Sequence, residues 1–282
     1  MHDNTKKVDW NWLILGVVTA TFLPIGIHTI MLDNLNIPYP AAFPREGWAS
    51  LPDRALRVFS MLVLCGTIRA NARLSTSMRF LIISLAVAAL NEALLRLPIM
   101  RNVVSTHWTI YPFVDNLPEV IRYAALAIVV MAITPYAVSV AARAASALVI
   151  AICVDFILAP YLGKIFAPLI AANASREGDQ LYTVPYDWHV DLPSYLTFAE
   201  PAIAALLLAW LLAKERRGMI LITLVLFGMR AGPLFGVALN VFYAPSNAVL
   251  AVLSKGQFAL ESAALALIAA AVMTRLHTPS NR

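Results

Sequence analysis

Residues 10–32 read WNWLILGVVTATFLPIGIHTIML, a run without a single Asp, Glu, Lys or Arg. A stretch of this length and character matches the roughly 20 apolar residues that an α-helix needs to cross hydrocarbon, where each backbone N–H and C=O must be satisfied inside the segment. No small-x-small cleavage pattern follows a short apolar core, so the run is read as a retained span and not as a signal peptide. The rest of the chain repeats the pattern. Of its 282 residues, 60% are hydrophobic and 13% charged, and the mean hydropathy is +0.75. Soluble domains carry about 25% charged residues. The fold class expected is all-α: a polytopic integral membrane bundle forming a single transmembrane domain over residues 1–282.

Apolar runs place eight helices at about 10–32, 51–70, 80–100, 117–136, 144–163, 193–213, 218–242 and 246–275. The second has the shortest apolar core, Val58 to Ile68, and spans only with Arg54 and Arg57 at headgroup depth; a re-entrant second segment is the alternative. Basic residues set the orientation. Lys6, Lys7, Arg69, Arg73, Arg79, Arg143, Lys214, Arg216, Arg217, Arg275 and Arg282 fall on one set of connections, which is assigned to the cytoplasm. The other connections are longer and richer in proline and aromatics, holding only Arg45, Arg101, Lys164 and Arg176. Both termini are therefore expected inside, in a bacterial inner membrane. The outer segments repeat a grammar of Leu51-Pro52-Asp53, Leu117-Pro118-Glu119, Leu192-Pro193-Ser194 and, more weakly, Ala244-Pro245-Ser246, each read as opening a helix, so that the chain forms four consecutive hairpins.

The net charge of +5 sits in short clusters at helix ends and not along one face, which excludes a nucleic-acid footprint. Cys65 and Cys153 both lie in apolar runs and build neither a disulfide framework nor a metal cluster. Of His2, His28, His107, His189 and His277, only His28 lies within a span, so opposed haem ligands inside the bilayer are not available and no cofactor is expected. His107 and His189, beside Trp108 and Trp188 and near Asp115, Asp187 and Asp191, are the one arrangement that suggests an outer metal or acid–base group.

Charged residues inside spans cost about 2.5–3.5 kcal/mol each on insertion scales, so each is a candidate for function. They are Arg57, Glu92, Arg96, Glu119, Arg122, Asp155, Glu200, Arg230, Lys255 and Glu261, with His28, Asn91, Asn240 and Gln257 adding neutral polarity. Nearly all fall at mid-depth or in the outer half. Glu92 with Arg96 and Glu119 with Arg122 have the spacing of intrahelical ion pairs. Asp155, Glu200 and Arg230 have no such neighbour and must find a partner on another helix, water or a proton. Arg230 precedes Ala231-Gly232-Pro233, and Glu200 precedes Pro201, where a loosened helix frees backbone groups beside a charge. Glu200, Asp155 and Glu92 are therefore the expected acid–base residues; Arg230, Arg96, Arg122, Trp108 and Trp188 are the expected binding residues for a lipid-linked or anionic small molecule.

Two short stretches resemble known families. Cys65 with Arg69 is similar in spacing to the exosortases, without their surrounding pattern or later histidine helix. Asn91-Glu92-Ala93-Leu94-Leu95-Arg96 resembles the Glu-Glu-x-x-x-Arg motif of the CAAX-protease-like membrane family, with the first glutamate replaced and the downstream intramembrane histidines missing. Neither resemblance assigns a family. Polarity confined to the outer half points to a membrane enzyme or binding protein working on an envelope or lipid-linked substrate at the outer leaflet. A small-solute transporter or channel, which needs polar groups reaching both faces, is the alternative. An accessory, assembly or immunity-type subunit that docks a protein partner is the third reading.

Overall fold

The computed structural model describes residues 10–38, 47–70, 74–174, 182, 187–213, 218–243 and 248–276. Every regular element among them is helical: α1 (Trp10–Thr29), α2 (Leu51–Ala70), α3 (Thr76–Leu90), α4 (Arg96–Val103), α5 (Tyr111–Ile133), α6 (Val140–Cys153), α7 (Ala159–Ala174), α8 (Trp188–Leu196), α9 (Ala199–Leu212), α10 (Gly218–Met229), α11 (Gly232–Tyr243) and α12 (Ala248–Leu276). Short π-helical stretches, Ile30–Asn34 and Val154–Leu158, extend α1 and join α6 to α7. Five helical segments are long and apolar enough to cross a membrane: Trp10–Asn34, Tyr111–Ile133, Val140–Ala174, Trp188–Leu212 and Ala248–Leu276. A sixth forms if Gly218–Met229 and Gly232–Leu239, bent by 52°, act as one.

The second expected helix is one continuous 20-residue element with the expected bounds, Leu51–Ala70. It carries too much charge to pass as a lipid-facing span, and its position explains why. Val58, Met61, Leu62, Leu64, Cys65 and Ile68 are all buried, with α2 packed against α3, α5, α6, α10 and α11. It is an interior helix of the bundle, and its Arg57 and Ser60 are buried against protein. A Cβ on Gly228 of α10 would lie 1.9 Å from Ser60 Oγ and 3.2 Å from its Cβ, so a larger residue at this crossing forces Ser60 to move.

Several expected boundaries move. The helix placed at 80–100 is broken after Leu90 and resumes at Arg96. The fourth begins at Tyr111, with Pro112 in its first turn, so Leu117-Pro118-Glu119 lies inside α5 and does not open it. Likewise Pro193 sits inside α8; among the three described motif prolines, Pro52 is at a helix start. The expected outer loop 164–192 is helical as far as Ala174. Pro118 and Pro193 each remove one N–H from the helix that holds them. Lys6, Lys7, Arg45, Arg73, Arg176, Lys214, Arg216, Arg217, Arg282 and the Pro245 motif lie outside the described residues, as does the side chain of Asn240.

Candidate functional site

Three breaks in helical continuity, α3–α4, α8–α9 and α10–α11, meet around Arg230. The guanidinium is 8% exposed and stands where α10 ends. Its Nη2 donates to Glu92 Oε1 at 2.9 Å and to Glu261 Oε1 at 2.6 Å. Nη1 donates to the Leu90 carbonyl at 2.6 Å, a group left free by the end of α3. Nε lies 3.4 Å from Ser262 Oγ. One arginine thus joins α3, α10 and α12 by neutralising two carboxylates and capping a third helix's carbonyl end, where a cation is favoured.

The α3 break has a specific form. The Glu92 N–H donates to the Ala89 carbonyl and the Ala93 N–H to the Ala88 carbonyl, both at 2.9 Å, with Glu92 at φ 64°. This is the Schellman arrangement, and Glu92 occupies the left-handed position normally given to glycine. A glutamate held there costs on the order of 1–3 kcal/mol and persists because its surroundings fix it. Arg230 and Arg96 supply that restraint: Arg96 Nε donates to Glu92 Oε2 at 2.8 Å. Just beyond, the N–H groups of Leu94, Leu95 and Arg96 donate to the Glu200 carboxylate at 3.0, 2.9 and 2.5 Å. Glu200 from the first turn of α9 therefore fills the positive N-terminal end of α4. Arg96 also lies 3.4 Å above the Phe198 ring and 3.3 Å from Thr197 Oγ1, closing the break between α8 and α9.

Behind this layer, His28 of α1 is buried between Phe198 and Phe258, with ring centroids at 5.6 and 5.0 Å. Its Nδ1 lies 2.7 Å from Gln257 Oε1, and its Nε2 lies 3.4 Å from Glu261 Oε2.

A second cluster flanks the first. Arg57 of α2 donates to Asp53 at 3.1 Å and to the Tyr123 hydroxyl at 2.9 Å. Arg54 approaches Asp155 at 3.5 Å, which also accepts from Ser50 at 3.3 Å. Arg122 pairs with Glu119. The clusters adjoin across the α10–α11 bend, since a Cβ on Gly232 would lie 3.3 Å from Asp53 Oδ2.

Beside the charged layer runs a groove of about 780 Å³ between α3–α4 and α8–α9. Met78, Leu81, Leu85, Ile203, Leu207 and Trp210 line its length, and Thr197 and Glu200 stand at one end. Leu85, Ile203 and Leu207 are half exposed, so the groove opens sideways from the bundle. A smaller apolar hollow of about 430 Å³ lies between α5 and α6–α7, around Cys153 and Tyr161.

Of the expected site residues, Glu92, Arg96, Glu200 and Arg230 come together in one network. Asp155 and Arg122 belong to the second cluster, while Trp108 and Trp188 lie exposed outside the groove. Both expected pairs form, Glu119–Arg122 within α5 and Glu92–Arg96 across the α3–α4 break, and Asp155, Glu200 and Arg230 each find partners on other elements. Among the described residues no three His, Cys, Asp or Glu side chains converge in a way that would hold a metal ion. His189 lies 3.9 Å from Asp187, and Asp115 pairs with Arg101. Sequence reasoning noted Glu261, Gln257 and His28 as intramembrane polarity without joining them to the site; their only signal was rarity in an apolar run. The chain matches no protein-family model, no curated protein and no solved structure.

Proposed function

We propose that this is a multi-pass membrane protein of eight helical passes with both termini in the cytoplasm, and that it binds a lipid or lipid-linked molecule from the outer leaflet. The single observation that carries the reading is the lateral groove with polar groups at one end only. An amphiphile has the same division. Its tail lies along Leu81, Leu85, Ile203 and Leu207, and its head meets Thr197 and Glu200.

A transmembrane partner helix is the poorer occupant. Helices associate in lipid through small residues and polar side chains, because there is no hydrophobic gain between them. The groove rim is instead bulky and aliphatic, a surface suited to a flexible chain. Transport is also disfavoured, since the groove lining away from Thr197 and Glu200 is apolar and offers no polar route to the other face. The carboxylates expected as acid–base groups are engaged: Glu200 by three N–H groups, Glu92 by two arginines, Asp155 by Arg54 and Ser50. That supports binding before turnover. The same pairing of charges also favours the accessory-subunit reading, in which the bound lipid is structural.

Native mass spectrometry of detergent-purified protein tests the proposal. Wild type is expected to retain a lipid through delipidation, Ile203→Trp to lose it, and Leu224→Trp, on an exposed face outside the groove, to keep it. Equal retention by both variants, or none by wild type, contradicts it.

A further inference from the structure

We propose that the groove selects lipids whose head donates hydrogen bonds and carries no net negative charge, with a primary ammonium head the best fit; this rests on the groove being a lipid site. The hydrogen-bond polarity of the groove end carries the inference. Glu200 is the one charged side chain among the described residues that line the groove. Its carboxylate is an acceptor with about four lone-pair positions. The Leu94 N–H takes one on Oε1, and those of Leu95 and Arg96 take two on Oε2, an arrangement at the positive end of α4 that suits an anion. One position on Oε1 remains. Thr197, the other polar side chain at this end, donates its hydroxyl hydrogen to the Ser194 carbonyl at 2.5 Å and accepts from Arg96 Nη1 at 3.3 Å. What these two side chains still offer a head is acceptor capacity beside a negative charge.

The neighbouring cations are engaged by protein. The Arg96 guanidinium donates to Glu92 and Thr197 and lies over the Phe198 ring, Arg230 is held by Glu92, Glu261 and the Leu90 carbonyl, and neither residue lines the groove. Trp210 lines the groove and has an indole N–H to donate, but it stands farther along α9, a rise of about 15 Å from Glu200 and out of reach of the same head. A carboxylate or phosphate monoester placed against Glu200 would meet a like charge and acceptors, with no hydrogen to share. An ammonium meets the opposite charge and supplies the hydrogens. The arginines that suggest an anionic ligand in the sequence are thus turned to protein carboxylates, and the surface left to the groove has the opposite preference.

The test exposes the full-length protein, delipidated in micelles, to phosphatidylethanolamine, phosphatidylcholine or phosphatidylglycerol with identical acyl chains and reads binding by native mass spectrometry. Groove binding is the part lost in Ile203→Trp and kept in Leu224→Trp. The ethanolamine and choline heads share their net charge and differ in N–H donors, whereas the glycerol head keeps donors and adds a net negative charge. The ethanolamine lipid is expected to bind the groove about tenfold more tightly than either of the others, the size of one hydrogen bond to a charged group. Equal groove binding of the ethanolamine and choline lipids, or a preference for the glycerol lipid, overturns the head assignment and leaves the groove a lipid site. Absence of any Ile203→Trp-sensitive binding with all three overturns the groove as a lipid site, and the head assignment with it.

Discussion

The Arg230 cluster and the Arg57 cluster use the same residue types but are built by opposite means. Around Arg57 the close ion pairs are mostly local, Asp53 with Arg57 and Glu119 with Arg122, three or four positions apart on unbroken helices. Around Arg230 the helices themselves are interrupted, and backbone groups of Leu90, Leu94, Leu95 and Arg96 enter the network. A local pair stiffens one helix; a network across breaks fixes several helices relative to one another and costs strain at Glu92. The second arrangement is the one that adjoins the groove.

Removing the central cation should separate the two most strongly. Arg230→Ala leaves Glu92 and Glu261 without their shared partner, a loss of about 3–5 kcal/mol for a broken buried pair. Arg122→Ala, losing a pair whose glutamate is 30% exposed, should cost about 1 kcal/mol or less. Denaturant unfolding in mixed micelles reads both, and equal losses would erase the distinction. Next in size, Gly228→Val should destabilise by about 1–3 kcal/mol through overpacking against Ser60, which thermal unfolding would detect. Strain at Glu92 gives a smaller, sharper effect. Glu92→Gly and Glu92→Ala both lose the ion pairs, but glycine should be the more stable by about 1–2 kcal/mol because it accepts the left-handed backbone. Alanine equal to glycine would mean the break is unstrained. The smallest change is expected at Arg101→Ala, whose pair with Asp115 is about 40% and 35% exposed and is worth roughly 0–1 kcal/mol.

Helical class and the course of α1, α2 and α12 were legible in the sequence because apolar runs and their ends are local signals. So were the Glu92–Arg96 and Glu119–Arg122 pairs. The break at 91–95 was not, since Glu92 holds a position where glycine or asparagine is the usual marker and the chain around it reads as helix. The proline grammar misled for a related reason: Leu-Pro-acid suits a helix start, yet Pro118 and Pro193 are accommodated inside helices. Partners such as Glu200 and the N–H groups of Leu94–Arg96, more than 100 positions apart in sequence, leave no pattern along the chain. Nor do His28 and Gln257, separated by 229. The groove is lined by residues of α3–α4 and α8–α9, far apart in sequence.

Photo-crosslinking with a phospholipid carrying a photoreactive group on its acyl chain tests lipid binding at the groove most directly. Peptide mapping of the adducts should concentrate label on Leu85, Ile203 and Leu207, and Ile203→Trp should suppress it. Label spread evenly over the other exposed apolar faces, at Ile14, Val149 and Leu224, would contradict a lipid site between α3 and α9.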